Sequence, residues 1–257
     1  MIRNRVIPIL LLKNKGLYKT FKFKDPKYVG DPVNAIKIFN DKMVDELVFL
    51  DITASKEKRS PNMVVIRDIA SECFMPLCYG GGVNSVEMIR EILNVGVEKV
   101  CLNTNAVKNP MLIKDAANFF GSSTIVVSVD VKKNLFGKYS VYINGGEEKT
   151  NLNPVDWALK IEELGAGEII LNSIDRDGTM LGYDIPLLHS VTSKVNIPVV
   201  AAGGASSMND FSMALKEANV AAVAAGAFFV FHGKHRAVLI SYPNESEIDE
   251  LMANIKN

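Results

Sequence analysis

Cysteine, histidine and tryptophan are scarce: 257 residues carry three, three and one of them. Cys73, Cys78 and Cys101 are odd in number, lack CxxC spacing and sit in or beside apolar segments. That excludes a disulfide framework and a zinc site, and reads as buried thiols of a cytoplasmic protein. His189, His232 and His235 show no ligand spacing with the carboxylates, so no metal is expected. An excess of one charge is missing as well. The 29 basic and 29 acidic side chains leave no pull toward nucleic acid or an anionic membrane. No apolar run approaches the ~20 residues of a membrane span. Val6–Leu12 is followed by Lys13 rather than a small-residue cleavage site, so no leader peptide is expected. There is no Ser/Gly/Pro-rich linker, and no repeat of ~20–50 residues that would mark a solenoid. With 48% hydrophobic residues, the chain suits one domain over residues 1–257 with a full core.

What is present is a short apolar strand running into glycine, Met75-Pro76-Leu77-Cys78-Tyr79-Gly80-Gly81-Gly82-Val83. It is echoed by Ile197-Pro198-Val199-Val200-Ala201-Ala202-Gly203-Gly204-Ala205. Pro76 and Pro198, like Gly81 and Gly203, lie 122 positions apart, and the same offset carries Glu46–Asp51 onto Glu168–Ser173. Two similar halves follow. Glycines just past a strand make tight turns, or let backbone N–H groups approach an anion. One such place in each half suits a ligand with a phosphate at either end.

Near-continuous apolar runs predict strands at Val6–Leu12, Leu47–Ile52, Leu77–Tyr79, Lys99–Leu102, Ile125–Val131, Glu168–Asn172, Pro198–Ala202 and Ala221–Ala225. Asp31-Pro32, Ser60-Pro61, Asn109-Pro110, Asn153-Pro154 and the Asn84/Glu87 pair predict helix starts, and Gly121 and Gly165 predict stops. Eight strands alternating with helices is the arithmetic of an α/β fold, a (β/α)8 TIM barrel with half-barrel internal duplication. A doubly wound open sheet is the runner-up. Two connections exceed a turn. Lys13–Gly30, rich in Lys and Phe, is expected to be a loop covering a site or disordered, and Tyr139–Ile143 with Asn144-Gly145-Gly146 a small hairpin.

In such a barrel the chemistry sits at the C-terminal strand ends. Asp130 ends an apolar strand, where burial would raise its pKa toward acid–base work; the alternative is a salt bridge to Lys132 or another lysine. Asp51 is either a ligand-orienting acid or the cap of the next turn. Ser173-Ile174-Asp175-Arg176-Asp177-Gly178-Thr179 is too polar for a core and predicts a loop across the mouth. At the opposite end, Arg5, Glu46, Lys99 and Glu168 stand at or before strand starts, where they either close into a ring of ion pairs or merely solvate the rim.

The stretches Asp45–Ser55, Gly80-Gly81-Gly82, Asn103-Thr104 and Ser173–Thr179 resemble the cyclase subunit of imidazole glycerol phosphate synthase, and the likeness runs from Met1 to about Phe229. The resemblance implies a half-barrel duplication, a glutaminase on the N-terminal barrel face, and ammonia passing along the axis to a phosphorylated ligand, without a cofactor. It implies that Gly82, Asn103 and Thr104 form one phosphate site. Gly178, Gly204, Ala225 and Gly226 form the other, Gly226 standing where a serine is usual. Lys19, Asp51, Ser173 and Asp177 complete the ligand site, and Arg5, Glu46, Lys99 and Glu168 form the ammonia gate. Of the two aspartates the family uses as acid and base, Asp130 is present, whereas Leu11 stands in place of the first. With the divergent Tyr18–Lys24 and His235–Pro243 stretches, this is similar to a branch associated with surface-glycan genes. There the barrel is expected to supply ammonia to an ATP-dependent sugar amidotransferase, for lipopolysaccharide or flagellin glycans. The alternatives are the cyclase of histidine biosynthesis and a non-catalytic scaffold binding a phosphorylated effector.

Overall fold

Runs buried on both faces pair most readily with one another in parallel, helices covering the outside. The computed structural model, which describes residues 4–256, shows this arrangement. Its strands are β1 (Arg5–Lys13), β2 (Leu47–Asp51), β3 (Leu77–Gly80), β4 (Lys99–Leu102), β5 (Ile125–Lys133), β6 (Glu168–Ser173), β7 (Val199–Ala202) and β8 (Ala222–Ala225). Each pairs in parallel with the next, and β8 returns to β1 with Ala222 opposite Arg5, so the sheet closes into the expected (β/α)8 barrel rather than an open sheet. Between strands and helices lies the larger core, with Phe39, Phe49, Phe211 and Phe229 fully buried. Inside the barrel a second cluster, including Ile7, Ile9, Val48, Cys78, Cys101, Ile170 and Ala222, fills the lumen.

The duplication shows in the capping residues. Ser85 accepts from Met88 N at 3.2 Å, and Ser207, its counterpart in the second half, accepts from Asp210 N at 3.3 Å. Asp31 and Asn153 cap helices with proline at the first position, as expected. Three predicted starts shift. Asn62, not Ser60, accepts from Val64 and Val65; Ser85, not Asn84, caps the third helix; and Pro110 itself occupies the cap position in place of Asn109. For Asn62 and Ser85 a rival cap-capable side chain lies nearer the first helical turn and reaches its free N–H groups; Pro110 makes no side-chain cap bond.

The connection 13–30 is neither loop nor disordered. Gly16–Phe21 and Lys24–Gly30 form an antiparallel ribbon that continues β1, Leu11 pairing with Tyr18. Its turn is made by Lys22 and Phe23 at φ +50° and +64°. That left-handed pair is normally supplied by Asn-Gly, which is why the hairpin was hidden. The expected hairpin after β5 does form: Tyr139–Ile143 pairs with Asp130–Lys133 and with Glu148–Lys149. Cys78 and Cys101 are buried, and Cys73 is half-buried; all three are free thiols. Among the described residues no helix is long and apolar enough to cross a membrane.

Candidate active site

The C-terminal strand ends and the two ribbons enclose one cavity with two unlike walls. On the side of β4 to β6 the wall is polar. Asn103 donates from Nδ2 to Asp130 Oδ2 at 3.0 Å and to the Ser128 carbonyl at 2.9 Å, and Ser128 Oγ donates to Asp130 Oδ1 at 3.3 Å. Burial pushes the Asp130 carboxyl up to about 7; the Ser128 bond opposes it, the nearby Asp177 charge adds to it, and Asn103 opposes it. Asp130 is in no ion pair among the described residues, and the Lys132 ammonium lies over the Tyr142 ring instead, 5.6 Å from its centre. The acid–base alternative is the one this geometry suits.

On the side of β7, β8, β1 and β2 the apolar lining includes Ile9, Leu11, Leu50, Ala202 and Ala224. Leu11 itself carries no titratable group, and among the described residues the carboxylate that strand pairing sets nearest it is Asp51, at the end of β2. Besides Asp130 the cavity carries Asp51 and Asp177, and both are engaged. Asp51 accepts from Thr53 N and Ala54 N at 3.1 Å and from Arg59 at 2.8 Å, so the turn-capping alternative fills its oxygens. Asp177 accepts from Lys19 Nζ at 2.7 Å and Thr20 Oγ1 at 3.0 Å, and its carbonyl accepts from Lys22 N at 2.9 Å. Those three bonds fasten the ribbon over the mouth. Gly178 packs beneath it: a Cβ there would stand 2.3 Å from the Thr20 carbonyl oxygen, at φ +71°.

Of the expected phosphate-binding positions, Asn103, Thr104, Ala225 and Gly226 line the cavity, as does Lys19. Gly82 and Gly204 do not; Gly81 and Gly203, one residue earlier in each half, do. Gly82 and Gly204 are spacers, since a Cβ would come within 2.7 Å of the Arg59 carbonyl and 2.2 Å of the Gly182 carbonyl. Ser173 is buried behind the wall, its carbonyl accepting from Arg176 N and Asp177 N, while Asn172 faces the cavity. Asn172, Ser128 and Arg59 escaped the sequence reading. The signal was there for Asn172: Glu168, Ile170 and Asn172 share the inward phase of a period-two strand, and Asn172 is the register partner of Asp130.

At the N-terminal end the four rim charges close into an alternating ring. Arg5 bonds Glu46 and Glu168, and Lys99 Nζ lies 2.9 Å from Glu46 and 3.0 Å from Glu168. Burial alone would lower the Arg5 and Lys99 values, but the two glutamates outweigh it and hold both above their usual range. On β4 the ring residue Lys99 and the cavity residue Cys101 are one pleat apart, roughly 7 Å. The Cys78 thiol is held neutral by its hydrogen bond with Cys101 and by burial, so this short stretch of lumen is uncharged. Around the ring, Met43 and Phe74 stand exposed on neighbouring loops joined by the Phe74 N to Asn40 Oδ1 bond of 3.2 Å.

A charged floor, an uncharged lumen and a cavity with a buried carboxyl thus lie in one line along the barrel, and similarity to known proteins gives the family. A bacterial protein of Pseudomonas aeruginosa, provisionally named imidazole glycerol phosphate synthase subunit hisF2, is 52% identical over 97% of this chain and 99% of its own. A Vibrio vulnificus protein provisionally named subunit hisF3 is 48% identical over 96% and 95% of the two chains. The imidazole glycerol phosphate synthase subunit HisF of Alkaliphilus metalliredigens is 46% identical over 90% and 92%. The profile of the histidine biosynthesis proteins matches residues 5–235, and the chain belongs to that family, as a HisF-type member.

Proposed function

We propose that this chain is the ammonia-receiving cyclase subunit of an imidazole glycerol phosphate synthase, with a glutaminase subunit docked on its N-terminal face. The observation that carries the reading is the alternating ring of Arg5, Glu46, Lys99 and Glu168 set one layer below the Asp130 cavity. Ammonia released in water at neutral pH is mostly ammonium and cannot attack carbon. A closed apolar lumen excludes water and keeps the nucleophile neutral. Movement of one ring side chain, with Lys99 bound through a single nitrogen, opens the floor without dismantling the barrel. The exposed Met43 and Phe74 supply apolar anchors for a partner covering that floor. At the other end Asp130, poised near neutral, takes a proton from the adding nitrogen. Asn103, Thr104, Ala225 and Gly226 hold the phosphorylated ligand.

The surface-glycan role was the first expectation from sequence, yet the family and the names of the relatives support the histidine reading better. One observation keeps the other as a second reading. The strand-one wall is apolar at Leu11, which suits a barrel that hands ammonia to a separate ATP-dependent sugar amidotransferase. The two part in a single assay: the purified chain and its glutaminase are given glutamine and the acyclic bisphosphate substrate. Glutamine-dependent formation of imidazole glycerol phosphate is expected. Glutamine hydrolysis with no such product would transfer the case to the second reading.

A further inference from the structure

The strand-one wall carries no carboxylate at Leu11, but it does not lack a proton donor. Leu11 is paired with Tyr18, so Lys19 is rooted one residue further along the ribbon, beside the same wall. Its ammonium is drawn inside: the side chain is 6% exposed, lines the cavity with Leu11 and Asp130, and is held by Asp177 at 2.7 Å. Gly226, just past the end of β8, leaves room for this descent. A Cβ there would stand 3.2 Å from Lys19 Cε, 3.3 Å from Cδ and 3.1 Å from the Ile9 carbonyl oxygen, so any larger residue presses on the lysine stem. Asp177 is in turn close enough to Asp130 for its charge to be felt there. We infer that Lys19, positioned by Asp177 and admitted by Gly226, is the second proton-handling group of the site, replacing the strand-one carboxylate that Leu11 has removed.

The step balances with the two groups alone. Ammonia nitrogen bonds to the carbon of a ligand carbonyl, and the C=O π bond breaks. The carbonyl oxygen takes a proton from the Lys19 ammonium while the adding nitrogen gives one to Asp130. The product is a neutral carbinolamine, and solvent returns the proton from Asp130 to Lys19 before the next cycle. This rests on the reading that ammonia reacts in this cavity.

The test is steady-state formation of imidazole glycerol phosphate by the full-length chain with an ammonium salt as nitrogen source, which bypasses floor and glutaminase. Lys19→Arg keeps the positive charge and a donor to Asp177, but a guanidinium does not give up its proton. It should lower kcat by about 10²–10⁴-fold with a far smaller change in the KM of the bisphosphate. Adding Leu11→Asp to Lys19→Arg should restore at least about tenfold of that loss, because a carboxyl again stands at the first wall. Full kcat with a raised KM in Lys19→Arg would leave Lys19 as a ligand-holding charge and overturn the inference, as would a normal kcat and KM. Failure of Leu11→Asp to recover any rate in a double variant that melts like Lys19→Arg would also overturn it. A wild-type chain that forms no product from ammonium overturns the reading beneath it, an outcome distinct from the others.

Discussion

The two walls of the cavity come from corresponding places in the two half-barrels, yet they are chemical opposites. At the end of β5, Asp130 is buried but flanked by donors from Asn103 and Ser128. At the end of β1, Leu11 faces Leu50 across the strand pair, with Ile9 below. Asp130 is buried, whereas Leu11 and Leu50 are only partly buried; the other difference is whether hydrogen-bond donors accompany the group. A buried carboxyl with two donors is an acid–base group, and the same volume without them is tolerated best as a hydrocarbon.

The comparison breaks most sharply at Asp130. Asp130→Asn keeps the shape and the Asn103 neighbour but handles no proton, so product formation from ammonium should fall by about 10²–10⁴-fold, measured as kcat. The next largest effect concerns coupling. Lys99→Ala removes one side of the floor ring, and glutamine hydrolysis should continue while the share of ammonia reaching product drops severalfold, read as the ratio of glutamate to product. An unchanged ratio would remove the gate role.

Stability should move the other way. The Asp130 carboxyl is raised by burial to about 7, so the folded chain binds more protons there than the unfolded one, whose value is near 3.8. Stability from this group is therefore greatest below pH 4 and is lost as pH rises toward 7. By the usual conversion of 1.36 kcal/mol per unit the loss is of the order of 4 kcal/mol at most. Asp130→Asn should melt several degrees higher than wild type at pH 8, and the gap should vanish near pH 4. Leu11→Asp should behave inversely: a carboxyl set beside Leu50 and Ile9 lacks the Asn103 and Ser128 donors, and the Lys19 ammonium is already bonded to Asp177, so the change costs about 1–3 kcal/mol. Its melting temperature should fall below wild type at pH 8 and recover toward pH 5. The smallest effect is expected at Gly226→Ala, where φ is negative and only a few tenths of an ångström must be found, against the lysine stem. A change in KM or kcat of two- to fivefold with an unaltered melting temperature would fit.

Much of this was legible beforehand. Strand positions followed from apolar runs, since burial on both faces leaves few polar choices, and β4 fell on Lys99–Leu102 as predicted. The rim charges were visible as residues, yet their closure was not. Whether Arg5 and Lys99 meet Glu46 and Glu168 depends on barrel closure, which brings together residues up to 163 positions apart. The ribbon over the mouth was missed because Lys22 and Phe23 adopt left-handed backbone without glycine. The spacer role of Gly82 and Gly204 was missed because sequence does not tell which of two adjacent glycines faces a carbonyl.

By itself, then, the order of residues determined the eight barrel strands, their two-fold kinship, a leucine at position 11 and the family. Periodicity and composition are local or offset-invariant, and survive without coordinates. Tertiary structure alone decided which charges pair, which glycines touch the cavity, and that Lys19 comes down beside the wall that Leu11 leaves apolar. Those outcomes depend on distances between segments remote in the chain, and the barrel's closure sets every one of them.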